Sequence, residues 1–293
     1  MLKLIPLRMD KVWGYELWTA STHKDCKQSD FSQAVQGDYP LLVKIIQAEE
    51  DLSVQVHPDD ETARLIEHSE DHGKAECWYI LKAESGSSLV NGLNTEFSKD
   101  EVLSAVKERR LDQCLNRTNV KAGDLIFIPA GSIHGIGKGI RLLEVQQTCN
   151  ITYRLHDWGR KREIHIEKGM KALKSVKAQP VRRFEEPFLC EYFSMEKISS
   201  KKSIDESDKA KSIQNTDETV TLKAQDQVEL IFICEGKGKI KSEYSESPRN
   251  TTKSAALKEL DFASEDTFAI FPNETVTLSG DFELIKIVPA KQA

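Results

Sequence analysis

Gln55, His57, Glu76 and His134 are side chains of the types that bind a divalent cation, and each lies in a segment whose local pattern fixes its direction. His134 closes the run Gly123-Asp-Leu-Ile-Phe-Ile-Pro-Ala-Gly-Ser-Ile-His134, which reads as a turn, a short apolar strand and a Pro129/Gly131 corner that ends strand pairing. In Leu52-Ser-Val-Gln-Val-His57 residues alternate, so Gln55 and His57 project from one face and Val54 and Val56 from the other. Burying the valines fixes the Gln-x-His face. The same period puts Lys74, Glu76 and Trp78 on one side of Lys74-Ala-Glu-Cys-Trp-Tyr-Ile. Two imidazole nitrogens and two oxygens, with room for water or substrate, suit a catalytic Zn2+, and Fe2+, Mn2+ or Co2+ could be held by the same set. A single histidine after a turn is ordinary; the convergence of four ligand-type side chains is not.

The elements that must hold them follow from periodicity. Residues 40–58 read as two β segments around a polar turn. A helix begins after Pro58-Asp-Asp-Glu61, with Ala63, Leu65 and Ile66 as its apolar face. A second helix is expected over 98–116, where Ser98 and Glu101 match a capping box and Val102, Leu103, Val106, Leu111, Cys114 and Leu115 form a stripe. Strands resume over 124–129 and 140–153, and a short helix over 166–173. Beyond a basic, proline-containing link the chain turns strand-rich at 188–198, 219–222, 228–234, 267–271 and 282–288, with charge-rich exposed loops at 201–216 and 241–254. Its segment Glu265-Asp-Thr-Phe-Ala-Ile-Phe-Pro272 echoes the first unit's turn-strand-proline pattern, but no histidine occurs after His165. The pattern therefore predicts a metal-binding catalytic domain over 1–183, carrying the helical insertions, and a degenerate, metal-free β domain over 184–293.

Composition narrows the partners. A chain of 293 residues with net charge -6 and 30% charged residues is an ordinary globular protein without the clustered positive surface that phosphate backbones demand. Six scattered cysteines form no Cys-x-x-Cys pair and read as free thiols. No apolar stretch approaches membrane-spanning length, and the first residues lack a signal-peptide core. The expectation is a cytoplasmic monomer or weak homo-oligomer, with neither a nucleic-acid nor a membrane partner.

Together the elements resemble a cupin, so the fold expected is mainly β: two double-stranded β-barrels (jelly rolls), with a few short helices inserted in the first. Gln55-x-His57 stands where cupins usually have His-x-His, and a helical insertion separates it from Glu76. With Leu52-Ser-Val-Gln-Val-His-Pro-Asp-Asp60, Gly73-Lys-Ala-Glu-Cys-Trp-Tyr79, Ile128-Pro-Ala-Gly-Ser-Ile-His134, Thr152-Tyr-Arg-Leu-His-Asp157 and Lys11-Val-Trp-Gly-Tyr-Glu-Leu-Trp18, the chain resembles the type I phosphomannose isomerases. The short interval from Glu76 to His134 is that of the short bacterial form. The resemblance implies one Zn2+ per chain, held by Gln55, His57, Glu76 and His134, and interconversion of mannose 6-phosphate and fructose 6-phosphate. It also implies Arg154 as the active-site arginine, Lys74 near the substrate and Glu144 as an acidic residue for proton transfer. His156 departs from the family's more usual aromatic.

Aldose-ketose isomerisation through an enediol needs a base, a cation for the developing oxyanion and an anchor for the sugar phosphate. Arg154 stays protonated and serves as the cation. Glu144 is assigned as the base, with Lys74 able to act only at a depressed pKa. Period two from Glu144 brings Arg154 to the same face of a regular strand. Arg160 is assigned to the phosphate, and Ser53 as a hydroxyl donor beside the metal strand. A cupin oxygenase and a non-catalytic sugar-binding cupin are the rival readings. The first fits the Gln-His-Glu-His set and the two cations poorly; the second fits poorly with an intact ligand set.

Overall fold

The computed structural model describes residues 1–67, 72–201, 213–216, 219–244 and 258–291. It divides into a unit running from Pro6 to Phe184 and a second made of Met1–Ile5 with Glu185–Ala293. The chain is mainly β, as its alternating patterns predict.

In the first unit the strands form two antiparallel sheets. The larger, seven-stranded sheet runs in the order Val181–Arg183, Asp124–Ile128, Glu76–Ala83, Ile140–Gln147, Leu41–Ala48, Gly14–Ala20, Leu7–Lys11. The smaller runs Tyr153–His156, Val54–Val56, His134–Ile136, Ser88–Leu93, Leu115–Asn119. Their inner faces share one apolar cluster, in which Ile46, Trp78, Ile80, Ile126 and Leu142 of the larger sheet meet Leu89 and Ile136 of the smaller. The smaller sheet's outer face is covered by helices: Val54, Val56 and Val90 pack with Val102, Ala105 and Val106 of the Lys99–Lys107 helix and Ala172 of the Ile166–Ala172 helix. Each of these valines contributes about 1.5–3 kcal/mol on burial. Because Val54 and Val56 are claimed by that outer core, Gln55 must face the barrel interior.

Several elements differ from the sequence expectation. The capping box at Ser98 and Glu101 forms, but the helix stops at Lys107. Arg109 takes a left-handed conformation (φ 58°) and the Arg110 amide bonds the Ala105 carbonyl, a helix-ending motif. Leu111–Cys114 becomes a single 3-10 turn and Leu115–Asn119 an edge strand, so the apolar stripe was three elements sharing one core. The strand expected over 140–153 breaks after Gln147, and its continuation, Tyr153–His156, belongs to the opposite sheet. A helix at Ser29–Val35 was not foreseen.

The second unit is a nine-stranded antiparallel sheet around Ile231, Ile233, Phe268, Leu278 and Leu284. Two strands of 16 residues each, Glu229–Tyr244 and Glu274–Pro289, pair along their length. Leu2–Leu4 pairs with Thr267–Ala269, so the first five residues belong here and not, as the sequence pattern suggests, with the first domain. The charge-rich stretch at 241–244 is strand, not loop, since it keeps alternation: Ile240 is buried while Lys239 and Lys241 face out to Glu259. Residues 213–216 are also strand; of the two expected loops, 202–212 and 245–254 lie outside the described residues.

The corner before His134 depends on Gly131. Its φ is 85°, its amide donates to the His57 carbonyl, and its carbonyl accepts from the Lys174 and Ser175 amides. An added Cβ would meet the Lys174 side chain at 2.7 Å. Gly131→Ala should therefore lower unfolding stability by about 1–3 kcal/mol in denaturant titration, whereas the open, exposed Gly37 should tolerate alanine better.

Candidate metal centre

The strand register brings the ligand types together. His134 pairs directly with Gln55 across the smaller sheet, and Glu76 enters from the first residue of its strand in the larger one. His57, Glu76 and His134 are all buried, with one donor atom from each within 4.8 Å of the others. His134 Nε2 is 3.2 Å from Glu76 Oε1 and His57 Nε2 is 3.8 Å from Glu76 Oε2. The Gln55 amide lies 3.4 Å from both Nε2 atoms.

Backbone carbonyls decide the imidazole tautomers. His57 Nδ1 donates to the Ile151 carbonyl at 2.7 Å and His134 Nδ1 to the Ser132 carbonyl at 2.9 Å. A carbonyl only accepts, so each Nδ1 carries the proton and each Nε2 presents a lone pair to the cluster. Burial, reinforced by the nearby Lys74 charge, holds both rings neutral, with His57 well below the usual range and His134 down to about 4. Glu76 Oε1 is buried without a hydrogen-bond partner. Turning the Gln55 amide end for end would present its oxygen to the same point, with Ser53 Oγ, 3.2 Å from the amide's other end, still in reach. Two aimed lone pairs and an unpartnered carboxylate oxygen fit a divalent cation.

Around this trio runs a series of buried charges. Lys74 Nζ ion-pairs Glu76 and lies 3.5 Å from Glu144 Oε1. Lys44 Nζ lies 3.4 Å from the same Glu144 oxygen, 3.8 Å from Glu16 and 4.8 Å from the Trp18 ring centroid. The Trp78 indole donates to Glu144 Oε2 at 2.9 Å. Burial works against the Lys74 charge, but Glu144 and Glu76 outweigh it and raise its pKa; Lys74 is held as an ammonium, not freed to act as a base. Burial would raise Glu144 as well, yet Lys74, then Lys44 and the Trp78 indole, hold it down to about 2. Glu76 moves up through burial and the Glu144 charge.

A cleft of about 190 Å3 opens beside these groups, lined by Gln55, Lys74, Glu144, Ser53, Arg154 and Arg162 among others. Arg154 Nη1 donates to the Glu163 carbonyl at 2.8 Å, while its Nε is buried without a partner. The register from Glu144 to Arg154 does not run along one strand; the two come from opposite sheets and meet at the cleft. Arg160 does not line the cleft. Its guanidinium bonds the Asp51 carbonyl at 2.6 Å and Asp157 at 3.1 Å, and Arg162 takes the position beside Arg154. Sequence reasoning also passed over Lys44 and Glu16. Lys44 carried a signal: it is the only charge in Leu41-Leu-Val-Lys-Ile-Ile46, a run otherwise suited to complete burial.

Residues 10–73 match the family model for the catalytic domain of type I phosphomannose isomerase. Mannose-6-phosphate isomerase ManA of Bacillus subtilis (strain 168) is 35% identical over 247 residues, a match taking in 78% of this chain and 70% of that protein. This chain belongs to the type I phosphomannose isomerase family. A mannose-6-phosphate isomerase of Streptococcus mutans is 41% identical over 149 residues, 49% of this chain and 46% of that protein. In fold, a crystal structure of the Bacillus subtilis mannose 6-phosphate isomerase superposes with a TM-score of 0.75 at 24% identity, covering 97% of this chain and 98% of that one. A zinc-bound mannose 6-phosphate isomerase gives a TM-score of 0.66 at 15% identity, covering 99% of each chain.

In this member of the type I phosphomannose isomerases, the ligands should separate by strength. His57→Ala, Glu76→Ala and His134→Ala should each lose bound metal, while Gln55→Ala keeps part of it because an amide oxygen is the weakest donor of the set. Elemental analysis of the purified variants decides this, and full zinc occupancy in His134→Ala would exclude the site.

Proposed function

We propose that the protein is a zinc-dependent mannose-6-phosphate isomerase, interconverting mannose 6-phosphate and fructose 6-phosphate through an enediol. The observation that carries this reading is a cleft lined by Gln55, a buried ammonium (Lys74), a buried carboxylate (Glu144) and an arginine whose Nε has no partner (Arg154), joined through the Lys74–Glu76 ion pair to the buried His57–Glu76–His134 group. The family relationship supports it independently.

Gln55, His57, Glu76 and His134 hold the ion, which when bound polarises the substrate's carbonyl as a Lewis acid. Lys74, fixed as an ammonium, donates to a substrate oxygen. Arg154 offers its unpartnered Nε–H to the oxyanion that develops when the proton leaves C2. Glu144 accepts that proton and returns it to C1, while Lys74 gives a proton to O1 and takes one back from O2, so that the enediol closes to the ketose and Lys74 ends as an ammonium again. At rest it is a weak base, because two lysines and an indole stabilise its charge; as Lys74 turns to the substrate oxygen, one of these contacts weakens and its basicity rises. Arg162, which lines the cleft, contacts the phosphate with Ser53, and Arg160 supports it from behind through Asp157. The same reading makes the protein a cytoplasmic monomer or weak homo-oligomer that binds neither nucleic acid nor membranes. None of the six cysteines is in a disulfide, as a reducing compartment would leave them, and no described helix is long and apolar enough to cross a membrane.

Zinc-loaded protein incubated with mannose 6-phosphate should form fructose 6-phosphate, chelator should abolish this and zinc restore it; absence of turnover in the loaded protein would end the reading. Arg154→Lys keeps the charge but loses the fork, and should lower kcat by about one to three orders of magnitude at unchanged metal content. Raised KM with kcat spared would make Arg154 a phosphate anchor instead. Glu144→Gln should suppress exchange of the C2 proton with solvent while substrate binding stays measurable. Undiminished exchange would remove Glu144 from the role of base.

A further inference from the structure

A second cavity, of about 770 Å3, opens between the end of the Lys99–Lys107 helix and the chain from Leu155 to Ile166. Its floor is apolar, built by Val106, Leu111, Leu155, Ile164 and Ile166. Its rim is basic. Lys107, Arg109 and Lys161 are exposed there and pair with no carboxylate among the described residues, while Arg160 and Arg162 share the buried Asp157. In a chain of net charge -6, unpaired cations from two segments around one hollow make a local field that favours an anion.

Arg109 adds a separate observation. It occupies the left-handed position that ends the helix, where glycine is usual and a side chain costs roughly 1–2 kcal/mol. Lys107 and Arg109 alone could serve the helix's negative end. Lys161 belongs to another segment and faces the same cavity.

We propose that this cavity is a second ligand site, taking an organic diphosphate with an aromatic body, of which a nucleoside diphosphate is the fitting class. The rim takes the phosphates and the floor takes the base. Inorganic phosphate would leave the apolar floor wet, and a neutral apolar ligand would leave the cations unmet. The volume is that of a site for a small organic molecule. Occupancy is coupled to the substrate cleft by Arg162, which lines both cavities and bonds Asp157 Oδ2 through its Nε at 2.9 Å. A phosphate in the second cavity competes with Asp157 for the Arg160 and Arg162 guanidiniums and draws Arg162 away from the cleft. This coupling rests on the isomerase reading; the binding site itself does not.

Calorimetric titration of the full zinc-loaded chain, without free metal, with ADP should give saturable 1:1 binding. Combined Lys107→Ala, Arg109→Gly and Lys161→Ala should weaken it by about tenfold or more, with pyrophosphate and adenosine each binding at least about tenfold more weakly than ADP. Arg109→Gly relaxes a strained residue, so thermal unfolding should not fall and lost binding cannot be laid to misfolding. Saturating ADP should raise the KM for mannose 6-phosphate by about fivefold or more in the wild type and not in the triple variant. No binding up to about 5 mM, or binding indifferent to the triple variant and displaced by mannose 6-phosphate, would overturn the site. Binding with an unmoved KM would overturn the coupling. A protein that binds ADP yet turns over no mannose 6-phosphate would refute the isomerase reading and leave the site standing.

Discussion

Lys44, Glu144, Lys74 and Glu76 alternate in sign through the interior of the first unit, each within ion-pairing distance of the next. An isolated ion in such surroundings costs several kcal/mol, and a pair offsets this only where geometry and extra hydrogen bonds are good. Here the extra bonds come from two tryptophans: the Trp78 indole donates to Glu144, and the Trp18 indole donates to Glu16 at 2.7 Å beneath Lys44. The register aligns the series. Trp18, Lys44, Glu144 and Trp78 are direct cross-strand partners on four consecutive strands of the larger sheet. One slip of one residue in any of those strands would turn its member of the series out of the barrel, so charge pairing and strand register specify each other.

That dependence explains which site residues are legible in the sequence alone. Gln55, His57, Glu76 and Glu144 sit on strands whose other face is apolar, and the two-residue period tells which side they take without knowing the neighbours. His134 follows a turn whose proline and glycine leave few conformations. Lys44 escapes because a strand buried on both faces shows no alternation, and the only clue is a charge where burial would otherwise exclude one. The choice between Arg160 and Arg162 is closed to sequence reasoning. They are two residues apart in an irregular segment, and which one reaches the cleft is set by how both guanidiniums settle on a single buried carboxylate, Asp157.

The helix expected to continue to residue 116 fails for a related reason. Apolar residues at helical spacing report only that one side of the chain is buried. Here a helix and a 3-10 turn pack on the outer face of the smaller sheet, and the edge strand that follows adds Leu115 to the same core from within that sheet, so three geometries yield one stripe. The conformational switch lies at Arg109, whose residue type argues against a left-handed turn.

The break after Gln147 links these failures to the chemistry. A strand running unbroken from 140 to 153 would have left Glu144 and Arg154 on one sheet, with nothing brought back over the candidate metal ligands. Instead the chain bends at Thr148, where the Cys149 amide bonds the Gln147 carbonyl, and crosses to the smaller sheet, where Arg154 pairs with Gln55. In crossing, it lays the Ile151 carbonyl on His57 Nδ1. The irregularity that defeats the alternation rule thus does two things that regular pairing cannot. It fixes the tautomer of the His57 imidazole, and it brings Arg154 to the cleft from the sheet opposite the one that carries Glu144.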